Sequence, residues 1–187
     1  MPGASRGRTD RASLVVEAET ASVYRTFSDA GSFMAWLPPG DMTGRALEYD
    51  FREGGRYRIE LTYVENAGSN SGKTTSSTDI STGRFVSLEP SKRIVQTVEF
   101  ESNDASIAGE MVMTWSFEAV QSGTRVTVTA ENVPPGVTQA DHDEGLRSSL
   151  ENLARYVAER SDRTGRRRAC PSILPADHFP DPDRGKR

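Results

Sequence analysis

The sequence predicts an α+β fold in which a curved, mostly antiparallel sheet is covered by one long C-terminal helix. Three observations carry that expectation. Within Thr138 to Arg160, the apolar residues Leu146, Leu150, Leu153, Ala154, Val157 and Ala158 recur at offsets of three and four, the stripe of an amphipathic helix. Between Leu47 and Ala130 the period changes to two, with apolar and polar residues alternating in run after run. Short clusters of Gly, Pro, Asp and Ser divide those runs at hairpin spacing.

The elements follow in order. Leu14, Val15 and Val16 lead into Glu17-Ala18-Glu19 as a short strand, and Thr20 is placed to cap a helix whose face is Val23, Tyr24 and Phe27. Phe33 to Trp36 form a second apolar turn, stopped by Pro38-Pro39-Gly40. Leu47 to Phe51 alternates, Gly54-Gly55 offers a tight turn, and Tyr57, Ile59, Leu61 and Tyr63 continue with period two. Residues 65–79 are small and polar, the composition of a long hairpin loop. A strand resumes near Ile80 and runs to Leu88, and Pro90-Ser91-Lys92 turns the chain into Ile94, Gln96, Val98 and Phe100. Met111, Met113, Trp115 and Phe117 alternate again, and Ser122-Gly123 turns into Val126, Val128 and Ala130, for about seven strands in all. Pro134-Pro135-Gly136 delays the last helix until Thr138, which with Asp141 three residues on resembles a capping box. At about 1.5 Å per residue this helix spans roughly 33 Å, long enough to cross a small domain.

Composition sets the boundaries. Hydrophobic residues make up 35% of the chain, below the globular average, which points to unpacked ends. The expected division is a flexible N-terminal tail over 1–12, one domain over 13–161, and a flexible basic, Pro-containing tail over 162–187. Residues 1–12 carry a net +2 and residues 162–187 a net +3 against −4 for the whole chain, leaving −9 on the body. An acidic body lacks the basic footprint that phosphate contact requires, so nucleic acid is not an expected partner. Arg166-Arg167-Arg168 read as part of a solvated tail. The one cysteine, Cys170, has no partner for an intrachain disulfide, and neither a secretory apolar region nor a run of 18 apolar residues is present. A soluble cytoplasmic protein without membrane insertion is expected.

Several local motifs resemble a known family. They are Gly54-Gly55-Arg56-Tyr57, the run from Gly83-Arg84-Phe85-Val86 through Glu89-Pro90-Ser91-Lys92-Arg93-Ile94-Val95, and Gly123-Thr124-Arg125-Val126-Thr127-Val128. With Glu144-Gly145-Leu146-Arg147 and the helix that follows, they are similar to the branch of the START-like, or SRPBCC, superfamily typified by the C-terminal domain of the heat-shock chaperone ATPase activator, the Aha type. That branch commonly has Trp where this chain has Leu146. The resemblance covers about 13–160 and implies the helix-grip fold, also called birch-pollen-allergen-like, in which a curved sheet wraps a long C-terminal helix. Its functions are diverse, because the superfamily includes lipid carriers, cyclases, hydrolases and binding modules.

Few residues suggest chemistry. Ala67-Gly68-Ser69-Asn70-Ser71-Gly72-Lys73-Thr74 matches a relaxed phosphate-loop pattern, but a working loop opens a helix, and Thr75-Ser76-Ser77-Thr78-Asp79 lacks helix propensity and an apolar stripe. Glu60, Glu99, Glu101 and Glu110 alternate with apolar neighbours, which puts them on the outer face. No Gly-x-Ser-x-Gly elbow occurs, and His142, His178 and Cys170 have no metal-ligand spacing, so neither a metal nor a cofactor is expected. His142 lies one turn before Leu146, where it either faces the grip and polarises a ligand or stands in solvent between Asp141 and Asp143.

Three function classes remain open. The leading one is binding of a small hydrophobic or amphipathic molecule between sheet and helix, lined by Phe33, Trp36, Tyr57, Tyr63, Phe85, Met111, Met113, Trp115, His142 and Leu146. The second is an interaction module for a chaperone or another protein, as the resemblance implies. The third is a cyclase- or hydrolase-like enzyme using the same cavity. The same side chains would also make a filled core.

Overall fold

A computed structural model describes residues 7–40, 42–64 and 77–168 of the chain. Among them the chain forms β1 (Arg8–Val16), α1 (Thr20–Ser28), α2 (Ala30–Trp36), β2 (Met42–Tyr49), β3 (Arg56–Tyr63), β4 (Thr78–Glu89), β5 (Arg93–Phe100), β6 (Met111–Val120), β7 (Gly123–Val133) and α3 (Gln139–Arg168). All pairings are antiparallel in the order β1-β7-β6-β5-β4-β3-β2. β1 and β2 are the two edges, and α1 with α2 carries the chain from one edge to the other. The α+β architecture, seven antiparallel strands with a long C-terminal helix, is the one the periodicities predict.

Alternation turns one side chain in two toward the helices, and register aligns them in rows. Asp10, Ala130, Met113, Gln96 and Phe85 stand opposite one another across β1, β7, β6, β5 and β4. The next row is Ala12, Val128, Trp115 and Ile94. Over this face α1 and α2 place Val23, Phe27, Phe33 and Trp36, and α3 places Leu146, Leu150, Leu153 and Val157, all buried in one core.

Polar contacts fix where the helices sit. Thr138 caps α3 as expected: the Asp141 N–H donates to its hydroxyl at 3.2 Å, and that hydroxyl donates to the Asp141 carboxylate at 2.7 Å. Asp29 caps α2 by accepting from the Ser32 N–H at 2.7 Å. Thr20, expected to be a cap, is instead the first residue of α1; Glu19 holds the cap position without a side-chain bond. The proline segment that ends α2 is tied to α3 because the Ser149 hydroxyl donates to the Leu37 carbonyl at 2.6 Å and the Asn152 amide to the Pro38 carbonyl at 2.8 Å. These bonds satisfy carbonyls that no helix or strand uses.

Both expected domain boundaries shift. Residues 8–12, assigned to a tail, belong to β1, because Asp10 and its neighbours pair with β7 and the polar Arg8 and Asp10 satisfy each other inside. The first strand accordingly ends at Val16 and does not extend through Glu19. At the other end α3 continues past 161 to Arg168. Loss of an apolar stripe removes a packing partner without stopping a helix, and the next proline is Pro171.

Leu150 lies at the centre of the α3 stripe and is 1% exposed, whereas Glu151 beside it is exposed. Leu150→Ala is expected to cost about 2–5 kcal/mol in chemical denaturation, as truncations of buried leucine do. Glu151→Ala is expected to cost under about 0.5 kcal/mol, and equal losses would show that the buried face has been misassigned.

Candidate functional site

The face toward α3 has two ends of different chemistry. At one end Phe27 touches Trp36, Trp115 and Phe117 with ring centroids 4.8, 5.3 and 5.4 Å apart, mostly edge to face. Phe33 joins Trp36 at 5.2 Å and Tyr49 at 5.4 Å, and Tyr57 and Phe85 complete the block at 5.3 Å. These rings satisfy one another's quadrupoles and fill the space between sheet and short helices. Phe33, Trp36, Tyr57, Phe85 and Trp115, all expected at a ligand site, therefore meet in one aromatic cluster. Leu146 is buried on the inward stripe of α3, and Met111 is buried at the start of β6.

The other end is looser. Leu61 and Tyr63 on β3, Phe100 on β5 and Met113 on β6 are only half-buried. Among them stand polar side chains that the alternation turns inward: Asp79 and Ser81 on β4 and Gln96 on β5 are 4%, 7% and 4% exposed. Between the two ends Tyr57 donates its hydroxyl to the Thr97 carbonyl at 2.5 Å. Burial pushes this phenol well above its usual range and so keeps it protonated, with a hydrogen bond from Gln96 opposing part of the shift. The approach is possible because residue 83 is glycine: a Cβ there would lie 1.8 Å from the Thr97 oxygen and 2.6 Å from the Tyr57 oxygen.

That hydroxyl orients Gln96. Its proton is committed to Thr97, so its oxygen accepts from Gln96 Nε2 at 3.5 Å, and the Gln96 Oε1 atom points elsewhere with no protein partner. Trp115 Nε1 is likewise buried with no protein partner, although Trp36 Nε1 reaches the Thr26 carbonyl at 3.4 Å. Gln96 pairs with Met113, and Trp115 lies two residues along the same strand face, so the residues that carry the unpaired acceptor and donor are diagonal neighbours in the ladder. Sequence reasoning placed Gln96 in the alternation without singling it out. The available signal was an amide at a position where every other member of its strand's inward series is apolar.

His142 neither stands free in solvent nor reaches the middle of the sheet. Its side chain is 14% exposed, and Nδ1 lies 2.7 Å from Oδ2 of Asp10, whose carboxylate is fully buried. Arg8 donates to the same carboxylate at 2.8 Å and to the Val137 carbonyl at 2.7 Å. Burial pushes the Asp10 carboxyl up, but hydrogen bonds and charge from Arg8 and His142 outweigh it and hold the group below its usual range. The trio pins the N-terminal end of α3 to the edge strand, in the same row as Met113 and Gln96.

A groove of about 450 Å³ runs along the outside of this arrangement, between α2, β2 and α3. Met34, Pro38, Gly44, Asn152 and Tyr156 are among the residues that line it. It borders the inner face at Gly44, where a Cβ would meet Pro38, Met34 and Leu61 at 2.7, 3.1 and 3.4 Å. The phosphate-loop-like segment Ala67–Thr74 lies outside the described residues. Among the described residues, no group of three or more His, Cys, Asp or Glu is placed to hold a metal, and no helix is long and apolar enough to cross a membrane.

Known structures share this fold. Residues 17–158 match the sequence profile described as Activator of Hsp90 ATPase homolog 1-like protein. A crystal structure of a Chromobacterium violaceum protein is similar with a TM-score of 0.70 and 29% identity, over 80% of this chain and 96% of that one. The AHSA1 protein of Silicibacter pomeroyi superposes with a TM-score of 0.67 at 17% identity, over 82% of this chain and 99% of that one. The AHSA1-like protein of Aeromonas hydrophila gives a TM-score of 0.61 at 18% identity, over 82% and 94%. No functionally curated protein matches the sequence.

Two outcomes test the site's construction. Gly83→Ala is expected to break the Tyr57 to Thr97 bond and to destabilise the fold by about 1–3 kcal/mol, the scale of overpacking, measured by denaturant titration. The lowered Asp10 carboxyl contributes stability that is fully present above its unfolded value of about 4 and is lost as the pH falls through its folded value. Asp10→Asn should therefore melt below the parent protein at neutral pH, with the gap closing as the pH drops under about 4. A gap that stays constant across that range would mean that the carboxylate charge does not hold the helix.

Proposed function

The chain belongs to the Activator of Hsp90 ATPase homolog 1-like family, and from that premise we propose that it binds a small hydrophobic or amphipathic molecule between its sheet and α3. The observation that carries this reading is the pair of buried, unpaired polar atoms, Gln96 Oε1 and Trp115 Nε1, on the inward face. A buried polar group without a partner costs about 1–3 kcal/mol, so a fold that keeps two as neighbours gains when a guest supplies the missing bonds. The half-buried Leu61, Tyr63, Phe100 and Met113 supply the apolar walls, and Met113 adapts to shape. Phe33, Trp36, Phe85 and Leu146 form the rigid backing behind the guest, Tyr57 sets the amide's orientation, and His142 holds the near end of α3. Entry is through the groove at Gly44, where Met34 and Pro38 close over β2. A binding role fits this arrangement better than catalysis does, because the two unpaired buried atoms are a hydrogen-bond acceptor and a donor, which hold a guest without reacting with it.

The neutral dye N-phenyl-1-naphthylamine is expected to bind the folded protein at micromolar concentration and to take up energy from the tryptophans. Met113→Trp should fill the space and weaken the dye by at least about tenfold, equivalent to roughly 1.4 kcal/mol, with a thermal melt confirming that the variant is folded. A native protein that leaves the dye unbound, or a folded Met113→Trp variant that binds it unchanged, would refute the reading.

A further inference from the structure

The two unpaired atoms also restrict what the guest can be. Resting on the binding role above, we infer that the ligand's polar group is neutral and carries both a hydrogen-bond donor and an acceptor, as a hydroxyl or an amide does.

The inference follows from which hydrogen-bonding capacities the protein leaves open. Gln96 Oε1 can only accept and Trp115 Nε1 can only donate. The amide cannot exchange these roles at low cost, because its nitrogen lies against the Tyr57 oxygen, whose own proton is committed to Thr97. The Trp36 ring stands nearly perpendicular to Trp115 at 5.6 Å and offers the indole N–H at most a weak contact with its π face. A group that satisfies both atoms must therefore donate to Gln96 and accept from Trp115. A carboxylate accepts only and leaves Gln96 unpaired; an ammonium donates only and leaves Trp115 unpaired. A hydrocarbon leaves both unpaired.

Charge works in the same direction. Among the described residues no lysine or arginine is buried, and the buried carboxylates are Asp10 and Asp79. Asp10 is paired with Arg8 and His142 at the edge of the sheet. An anionic head group would enter this low-dielectric space with no buried lysine or arginine among the described residues to offset its charge, which is costly. Fatty acids and organic phosphates are thereby disfavoured relative to alcohols, phenols and amides of similar apolar bulk. Discrimination of this kind is large, because a site built to hydrogen-bond rejects an analogue that leaves its buried groups unpaired.

Five naphthalene probes with the same ring system test this: 2-naphthol, 2-naphthamide, 2-methylnaphthalene, 2-naphthoate and 2-naphthylmethylammonium, titrated by Trp fluorescence at neutral pH. At least one of 2-naphthol and 2-naphthamide is expected to bind about tenfold or more tightly than each of the other three, and which one leads distinguishes a hydroxyl ligand from an amide ligand. In Gln96→Leu the preference over 2-methylnaphthalene should fall to within about threefold while 2-methylnaphthalene itself still binds. The indole N–H resonance of Trp115 should move downfield with the preferred probe, and that of Trp36 should stay in place. Equal affinities across the series, a preference for 2-naphthoate or the ammonium, an unmoved Trp115 resonance, or an ordered water kept between Gln96 and Trp115 in the complex would each overturn the inference while leaving apolar binding intact. If none of the five probes binds, the binding role itself fails, and the inference fails with it.

Discussion

The pairing of β1 with β7 is the constraint on which the rest of the molecule depends. Among the described residues it is the one strand contact made between distant parts of the chain, and it brings Asp10 within hydrogen-bond distance of His142, 132 residues away. Loop closure over that length is entropically expensive, so the contact has to be held by more than one interaction. Eight register positions of β1 supply the ladder, and the contact of Arg8 and His142 with the buried Asp10 carboxylate supplies the lock on α3. Once the N-terminal end of α3 is fixed at the sheet's edge, its apolar stripe must lie over the inward rows. Its later residues Ser149 and Asn152 then meet the carbonyls of Leu37 and Pro38.

This seating divides the interior into two unequal parts. At the α1 and α2 end, ten of the described aromatic rings touch in a continuous network, from Tyr24, Phe117 and Trp115 through Phe27, Trp36 and Phe33 to Tyr49, Phe51, Phe85 and Tyr57. Close packing there gives dispersion and edge-to-face gains that a void would forfeit. At the opposite end the strands carry Asp79, Ser81 and Gln96 inward, and the apolar side chains beside them are only half-buried. Polar groups on an inward face weaken a core unless they are satisfied, so their presence sets this end apart from a purely structural interior. The boundary between the two ends runs through Tyr57, Gln96, Met113 and Trp115. There a glycine at 83 allows the Tyr57 hydroxyl to reach a main-chain carbonyl across the ladder.

The lines of reasoning that succeeded and failed at sequence level differ in range. Periods of two and 3.6 are local, and they correctly gave the antiparallel strands and the long helix; the Thr138 cap and the resemblance to the family came from short motifs that are just as local. Aromatic and methionine residues at inward positions were also legible, because alternation reports the face of a strand without any knowledge of its neighbours. Arg8 and Asp10 were misread as tail, since two charged residues in a short basic stretch have no periodic partner until β7 lies beside them. His142 was left between two readings for the same reason: its partner is on the other edge of the chain's history, in β1.

The sequence by itself therefore determined the fold class, the faces of its strands and helix, and the net acidity of the body, because each follows from short-range spacing or from composition. Tertiary structure alone decided that the expected lining residues split between a filled aromatic block and a looser polar end. It alone left Gln96 Oε1 and Trp115 Nε1 without a protein partner, on residues that are diagonal neighbours in the ladder. The reason is physical: whether a polar atom has a partner depends on register, on the glycine that admits Tyr57, and on the helix that covers the sheet. Those are contacts between residues far apart in sequence, and no local period encodes them.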